Sequence, residues 1–563
     1  MALGLGKHGG VGTIEDTTAR DMGEPGAARH GLGLVFGWLA VAAIAFPLGL
    51  ACLQIAVSPG HLPLYLGGDQ ALIGLGTKAA AGWHQLLGPY DRFGWHHPGP
   101  AYFYLQALPS HALAPGQSEF FGSAAINAVA AVLAVATVWR RVGSRAALWS
   151  AVCIGYLAIA LGPALLRLPW NPNAVILPLC LLAVLCAGGA TGSLLCLLGS
   201  LLVGSYLVQT DVAMVPVVTA LVVLSLLGHV LARRAGVARD GPRPLPRAAI
   251  VALAGVGSAV LVAMWVPPVL QQIRDHPGNL GLLWHFFTSG HSQHGVTPAA
   301  HAIGAVDSQL GFRSLDNGLP LPGSHYVALL LALAVAVAAV AVGVWRRQRF
   351  GLSLGVASLV GQVVSIVSAT RVVGPIYGYL VLWEIALPVM AAIGLGVALL
   401  GDDTRQSVER TARWPSAASK TMTGISVALA GGAVAVAVTL GVNVAGLAQV
   451  SSLSASDVGQ AWRLVEPRLS RSDMSVLVDI RSHDSWPLGA GLADQLTERG
   501  VRPTVPEAWV PIFGTGTATG HEAAVVALYQ RGESPPTPPP GSSLLGTAGD
   551  TVVYFSDRGP GSH

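Results

Sequence analysis

The sequence predicts a polytopic α-helical membrane protein that carries a small α/β domain at its C-terminal end. Three observations lead to this. Hydrophobic residues make up 52% of the chain and charged residues only 11%, against about a quarter charged in an average soluble protein. Apolar runs of about 20 residues recur, each long enough to cross a hydrocarbon core about 30 Å thick. The tail 450–563 has no such run and instead mixes short helical and strand-like patterns.

The elements follow in order. Residues 1–31 are polar and rich in Gly, Thr and Ala, and read as a disordered tail. The first apolar run, 32–57, is too long for the apolar part of a signal peptide and no cleavage site follows it, so it reads as a signal anchor. Run length predicts about eleven spans. They fall near 32–57, 119–139, 146–163, 172–189, 193–209, 212–232, 247–266, 326–345, 351–369, 375–400 and 421–447. No internal repeat is visible. The five cysteines, Cys52, Cys153, Cys180, Cys186 and Cys196, all lie in apolar runs and read as small buried hydrophobes.

Orientation comes from Lys and Arg. Four connections are basic: Arg140, Arg141 and Arg145; Arg233, Arg234, Arg239, Arg243 and Arg247; Arg346, Arg347 and Arg349; Arg405, Arg410, Arg413 and Lys420. An odd number of spans places all four on one side, the cytoplasm, together with the N-terminus. The loops 58–118 and 267–325 and the tail 450–563 are then outside the plasma membrane. The net charge of +4 is small and calls for no nucleic-acid partner.

In the tail, Asp457–Leu469 and Leu488–Arg499 read as helices, the second ending at Gly500. SVLVDI (475–480) and TVVYFS (551–556) read as strands, and PPTPPP (535–540) as a stiff loop. The unit has no phosphate-binding glycine motif and reads as a structural or acceptor-binding lid.

The outer loop 58–118 holds the chemistry. GGDQALIGLGTKAAAGWHQLLGPYDRFGWHHPGPAYFYL, from Gly67 to Leu105, carries Asp69, Lys78, His84, Asp91, Arg92, His96 and His97. Titratable groups this close to hydrocarbon are costly and point to function. Ala71–Leu87 and Pro100–Leu113 read as helices lying on the outer membrane surface. Asp69 precedes the first, so it is either an N-cap or a general base that takes a proton from an acceptor hydroxyl. A histidine of the pair 96–97, with Arg92 or Lys78, would neutralise a phosphate, unless the histidines only bond the backbone. Asp211, Arg167 and Arg371 stand at outer ends of spans, where they either converge on the same site or pair and snorkel. Glu384 lies within a span and is expected to be paired. In the loop 267–325, read as a mobile lid, His291 and His294 form HSQH; without supporting Cys or carboxylates the pair reads as part of the lid rather than as a metal clip. No motif calls for a cofactor, although a divalent cation is compatible with the cluster.

These motifs resemble the GT-C class of membrane glycosyltransferases, in particular the protein O-mannosyltransferase and lipid A aminoarabinose transferase group. Asp69 matches the first acidic residue of that group's Asp-Glu pair, and His97-Pro98 its later His-Pro-Pro element. Gln70 stands in place of the Glu, Gly99 in place of the second Pro, and Trp95 in place of an Asp. RLPWNPNAVILPL (167–179) is similar to the Asn-Pro element of the fourth span, and VQTDVAMVP (208–216) to a Gln-Thr-His segment, with Asp211 at the His. WVPPVLQQIRDHPGNLGLLWHFF (265–287) resembles the start of the large outer loop of actinobacterial members. The likeness spans roughly residues 32–400.

The resemblance implies a polyprenyl-phosphate sugar donor, a hexose or pentose such as mannose or arabinose, and a cell-envelope glycan, lipid or protein acceptor. It implies catalysis by Asp69 and substrate binding by Lys78, Asp91, Arg92, His96, His97, Arg167, Asn171, Gln209, Asp211 and Arg371. Two other readings compete. A multi-span transporter or lipid-linked-sugar flippase fits the spans, but the polar groups gather at outer ends rather than mid-membrane. A non-catalytic envelope scaffold leaves the 69–97 cluster unexplained.

Overall fold

A computed structural model describes residues 25–57, 64–236, 246–311, 325–401, 416–446, 454–469, 474–532, 538 and 540–557. The expected disordered tail to residue 24, part of the basic connections and most of PPTPPP lie outside the described residues. The first helix already begins at Pro25 and runs to Ala56.

Among the described residues, ten helices are long and apolar enough to cross a membrane. The segment expected as a further span, 193–209, is the helix Leu194–Thr210 of 17 residues, about 26 Å long at 1.5 Å per residue. The centre of the bundle is Asn171–Ala190, 89% buried, whereas none of the apolar window of Arg247–Arg274 is buried. Lipid is as apolar as the side chains, so small residues that let backbones approach hold such helices together. Tyr326–Trp345 buries Ala332, Ala336, Ala339 and Gly343, and its neighbour Arg349–Thr370 buries Gly351, Gly355 and Ala357. The five cysteines are free thiols.

Three boundaries differ from the sequence reading. The helix expected from Ala71 spans Gly68–Ala81, because Gly68 takes φ +53° and lets the chain turn into the helix two residues before Gln70. The helix expected over 100–113 is short, Ala101–Ala107, followed by a single tight turn at Pro109–His111. The helix Arg247–Arg274 continues through Pro267 and Pro268, so the large loop starts after residue 274 rather than at 267. Proline is tolerated in such helices when neighbouring groups satisfy the freed carbonyls.

The C-terminal unit is a six-stranded sheet with helices Ser456–Val465 and Trp486–Glu498. Its strands are β1 (Ser475–Ile480), β2 (Arg502–Val505), β3 (Gly516–Thr517), β4 (Ala524–Gln530), β5 (Ser543–Ala548) and β6 (Thr551–Asp557). The order is β3-β2-β1-β4-β6-β5, parallel through β4 and antiparallel beyond it. The central strands β1 and β4 are buried on both faces, as parallel strands covered by helices are.

This unit is docked on the membrane part. Leu66, Ala71, Leu75 and Phe120 share one apolar core with Val458, Trp462, Leu488 and Leu492. The Ala455 N–H donates to the Tyr65 carbonyl at 2.8 Å, and the Tyr65 N–H to Ser454 Oγ at 2.8 Å. The helix Gly68–Ala81 lies directly against Trp486–Glu498.

Candidate active site

Between the two parts lies a cavity of about 870 Å³. One wall comes from the segment between the first two long apolar helices and includes Asp69, Lys78, Tyr90 and His96, with Asn171 beside them. The facing wall comes from β2, β3 and the loop between Phe513 and His521.

Asp69 sits in the first turn of its helix, not at the N-cap, which is Gly67 and makes no side-chain bond. Its carboxylate is exposed to the cavity and accepts the Trp170 indole N–H at 3.1 Å. The surrounding protein raises the carboxyl above its usual 3.8, with the Trp170 hydrogen bond pulling the other way. That is the profile of a base, since the N-cap bonds that would have lowered its basicity are absent. Trp170 packs on Tyr379 with ring centroids 5.2 Å apart, and Tyr379 stacks on Tyr377.

Residues 88–97 form a tight hairpin. Tyr90 and His96 pair as an antiparallel bridge, Asp91 N–H donates to the Trp95 carbonyl at 2.9 Å, and His97 N–H to the Pro89 carbonyl at 2.8 Å. Asn279 clamps this hairpin with both amide atoms: its Oδ1 accepts the His96 N–H at 2.8 Å and its Nδ2 donates to the His96 carbonyl at 2.8 Å.

Burial and then the nearby His97 push His96 down to about 4. Burial pushes His97 to about 4 against the pull of Asp91. The His97 Nδ1 accepts the Val212 N–H at 3.0 Å, and its Nε2 lies 3.0 Å from Asn171 Nδ2. Asp211 lies 3.8 Å from the same Nδ1 and accepts the Ala213 N–H at 2.9 Å. His97, Asn171 and Asp211 thus form one buried network behind the cavity.

The other expected ligands are placed as follows. Lys78 is ion-paired to Asp494 at 2.5 Å and Glu498 at 3.0 Å of the C-terminal unit. Gln209 is a fully buried brace: Oε1 accepts the Ala101 N–H at 3.3 Å and Nε2 donates to the Met264 carbonyl at 3.0 Å. Arg167 is buried away from the cavity and donates to Gln54 Oε1 at 2.8 Å. Arg371 is exposed and outside the cavity lining. Asp91 is half-buried in the hairpin, where its carboxylate accepts the Phe93 N–H at 3.1 Å. Arg92 is an exposed cation on that hairpin and, like Arg371, is outside the cavity lining. It donates to the Val373 carbonyl at 3.1 Å and lies over the Phe93 and Tyr377 rings at 4.9 and 5.5 Å.

The structure also explains why Gly99 stands where the resembled families have proline. Its N–H donates to the Gln209 carbonyl at 3.3 Å, and an added Cβ would lie 2.5 Å from Gln209 Oε1 and 2.8 Å from Pro268. Proline has neither the donor nor the room.

The HSQH histidines point to separate carbonyls: His291 to Phe286 at 3.0 Å and His294 to Gly374 at 2.7 Å. Among the described residues no group of three or more His, Cys, Asp or Glu is placed to hold a metal. Glu384 is fully buried and meets the carboxyl of Asp307, so its expected partner is a second acid. Sequence reasoning did not single out Trp170, Asn279, Asp494, Glu498 or the 513–521 loop. Of these, Trp170 and Asn279 lay in stretches with a signal, the Trp-Asn-Pro turn and the segment 265–287.

The fold is a polytopic helical bundle with a short helix, a clamped hairpin and a docked C-terminal unit around the cavity. Two solved structures share it. The crystal structure of ArnT from Cupriavidus metallidurans bound to undecaprenyl phosphate matches with a TM-score of 0.57 at 14% identity, over 93% of this chain and 99% of that one. Its apo form matches with a TM-score of 0.54 at 13% identity, over 94% and 98%. No family model and no curated protein matches the chain.

Proposed function

We propose that this protein is a membrane glycosyltransferase that moves a hexosyl or pentosyl group from a polyprenyl-phosphate donor to a cell-envelope acceptor. The reaction takes place on the outer face of the cytoplasmic membrane, with the N-terminus inside and the C-terminal unit outside. The observation that carries this reading is Asp69, an open carboxylate of raised basicity at a cavity between bilayer-facing helices and a soluble unit. The shared fold with ArnT bound to undecaprenyl phosphate supports the donor class.

In this reading the donor arrives laterally from the bilayer. Asp69 takes the proton of the acceptor hydroxyl. The new bond forms between that oxygen and the anomeric carbon while the bond from carbon to phosphate oxygen breaks, with inversion, and polyprenyl phosphate leaves. Arg92, held by neutral partners, stabilises the phosphate. His97 acts through position and hydrogen bonding, not charge.

The direct test is sugar transfer by purified protein from radiolabelled polyprenyl-phosphate sugars to envelope extracts; no transfer from any donor would end this assignment. Asp69 works only when ionised, so the rate is expected to rise with pH through its carboxyl, and burial places that acid limb above 3.8. A rate already at its plateau at pH 4 would remove Asp69 as the base. Arg92→Ala is expected to weaken undecaprenyl phosphate binding in nanodiscs about tenfold, the loss of one charge-assisted contact worth about 1.4 kcal/mol. Unchanged affinity would take Arg92 out of the donor site.

A further inference from the structure

We infer that the loop Gly514–His521 of the C-terminal unit, with Arg502 and Thr504 on β2, is the carbohydrate-binding wall for the acceptor. The inference rests on the glycosyltransferase reading and assigns the acceptor side of the same cavity.

The cavity has two chemically different walls. The one with Asp69 belongs to the membrane part, where a lipid donor must arrive. The facing one comes from the C-terminal unit and carries the exposed Thr517 and the bare backbone of Gly514 and Gly516, with Val501 and Ile512 beside them. The Thr504 and Thr519 hydroxyls are turned to the Val476 carbonyl and Glu522. Among the described residues no carboxylate of this unit lines the cavity, and its fixed cation there is Arg502. An exposed hydroxyl, a guanidinium and unobstructed peptide groups recognise a polyhydroxylated ligand.

The wall is also rigid. β3 pairs with β2 through Thr504–Gly516 and Val505–Thr517. Ala518 N–H donates to the Val505 carbonyl at 2.9 Å. The buried Glu522 carboxylate accepts the Thr519 N–H at 2.6 Å, the Thr519 hydroxyl at 3.0 Å and the Gly520 N–H at 3.0 Å. A loop tied this way presents Thr517 in one arrangement, which lowers the ordering cost of binding. Thr517 and Gly516 are exposed at its crest. An added Cβ at Gly516 meets only Thr504 Cγ2, at 3.6 Å, so bulk at the crest extends into the cavity without disturbing the sheet.

The experiment uses the full chain in nanodiscs, in an Asp69→Asn background to stop turnover. Binding of neutral gluco-, manno-, galacto- and arabino-oligosaccharides is measured with and without Thr517→Trp, alongside binding of undecaprenyl phosphate. The expected result is saturable binding of at least one oligosaccharide, weakened at least about tenfold by Thr517→Trp, with undecaprenyl phosphate affinity unchanged. Thr517→Ala, which removes only a hydroxyl, is expected to give a smaller loss and controls for folding. No oligosaccharide binding, binding indifferent to Thr517→Trp, or a parallel loss of undecaprenyl phosphate binding would each overturn the assignment. Failure of undecaprenyl phosphate to bind the parent protein would instead count against the donor reading, which keeps the two separable.

Discussion

Asp69→Asn is expected to lower sugar transfer by about two to four orders of magnitude, the range associated with a positioned general base. Asparagine keeps the size and can still accept the Trp170 indole N–H at the position of the 3.1 Å bond. It cannot take a proton. The loss therefore falls on turnover, and undecaprenyl phosphate affinity stays near that of the parent. Single-turnover rates with saturating donor, measured beside equilibrium binding, separate the two. Full activity in a folded Asp69→Asn protein would move the base elsewhere in the cavity.

Lys78→Met is expected to destabilise the docked protein by about 3 kcal/mol, because it strands buried acids without their cation. Asp494 is fully buried and Glu498 partly so, and both bond the Lys78 ammonium. Burial already pushes Glu498 up to about 8, against the pull of Lys78 and with a further push from Asp494. Removing Lys78 leaves that repulsion unopposed. The check is unfolding in detergent followed by tryptophan fluorescence. Lys78→Met/Asp494→Leu is expected to recover part of the loss, since the pair is coupled. A single variant as stable as the parent would show that the ion pair adds nothing to docking.

The membrane part was legible because apolar run length alone marks most spans, and the one short helix, Leu194–Thr210, still appears as a run. In the C-terminal unit β1 and β6 were legible from their β-branched and aromatic runs. The strand β4, AVVALYQ, is buried along nearly its whole length, so it shows no alternation and does not separate from a helix by pattern. The strands β2 (RPTV) and β3 (GT) are too short to carry a pattern at all.

The site was half legible. A cluster of titratable groups in one loop was visible, but the fate of each side chain depended on distant partners. Asp69 meets Trp170 across 101 positions of sequence, and Lys78 meets Asp494 across 416. Such pairings leave no local trace. The N-cap reading failed because two glycines precede Asp69 and only the backbone shows which one starts the helix.

One arrangement has a mechanical consequence. Asp69 and Lys78 stand on the same short helix, nine positions apart, hence about 13 Å along its axis at 1.5 Å per residue. The C-terminal unit packs along this helix from end to end, with Trp486 and Pro487 at Gly68 and Asp494 at Lys78, so the proposed base is seated by it on both sides. A displacement of about 1 Å at a reacting group can cost about a hundredfold in rate. Seating of the C-terminal unit is therefore expected to set turnover without any of its atoms touching the bond that breaks.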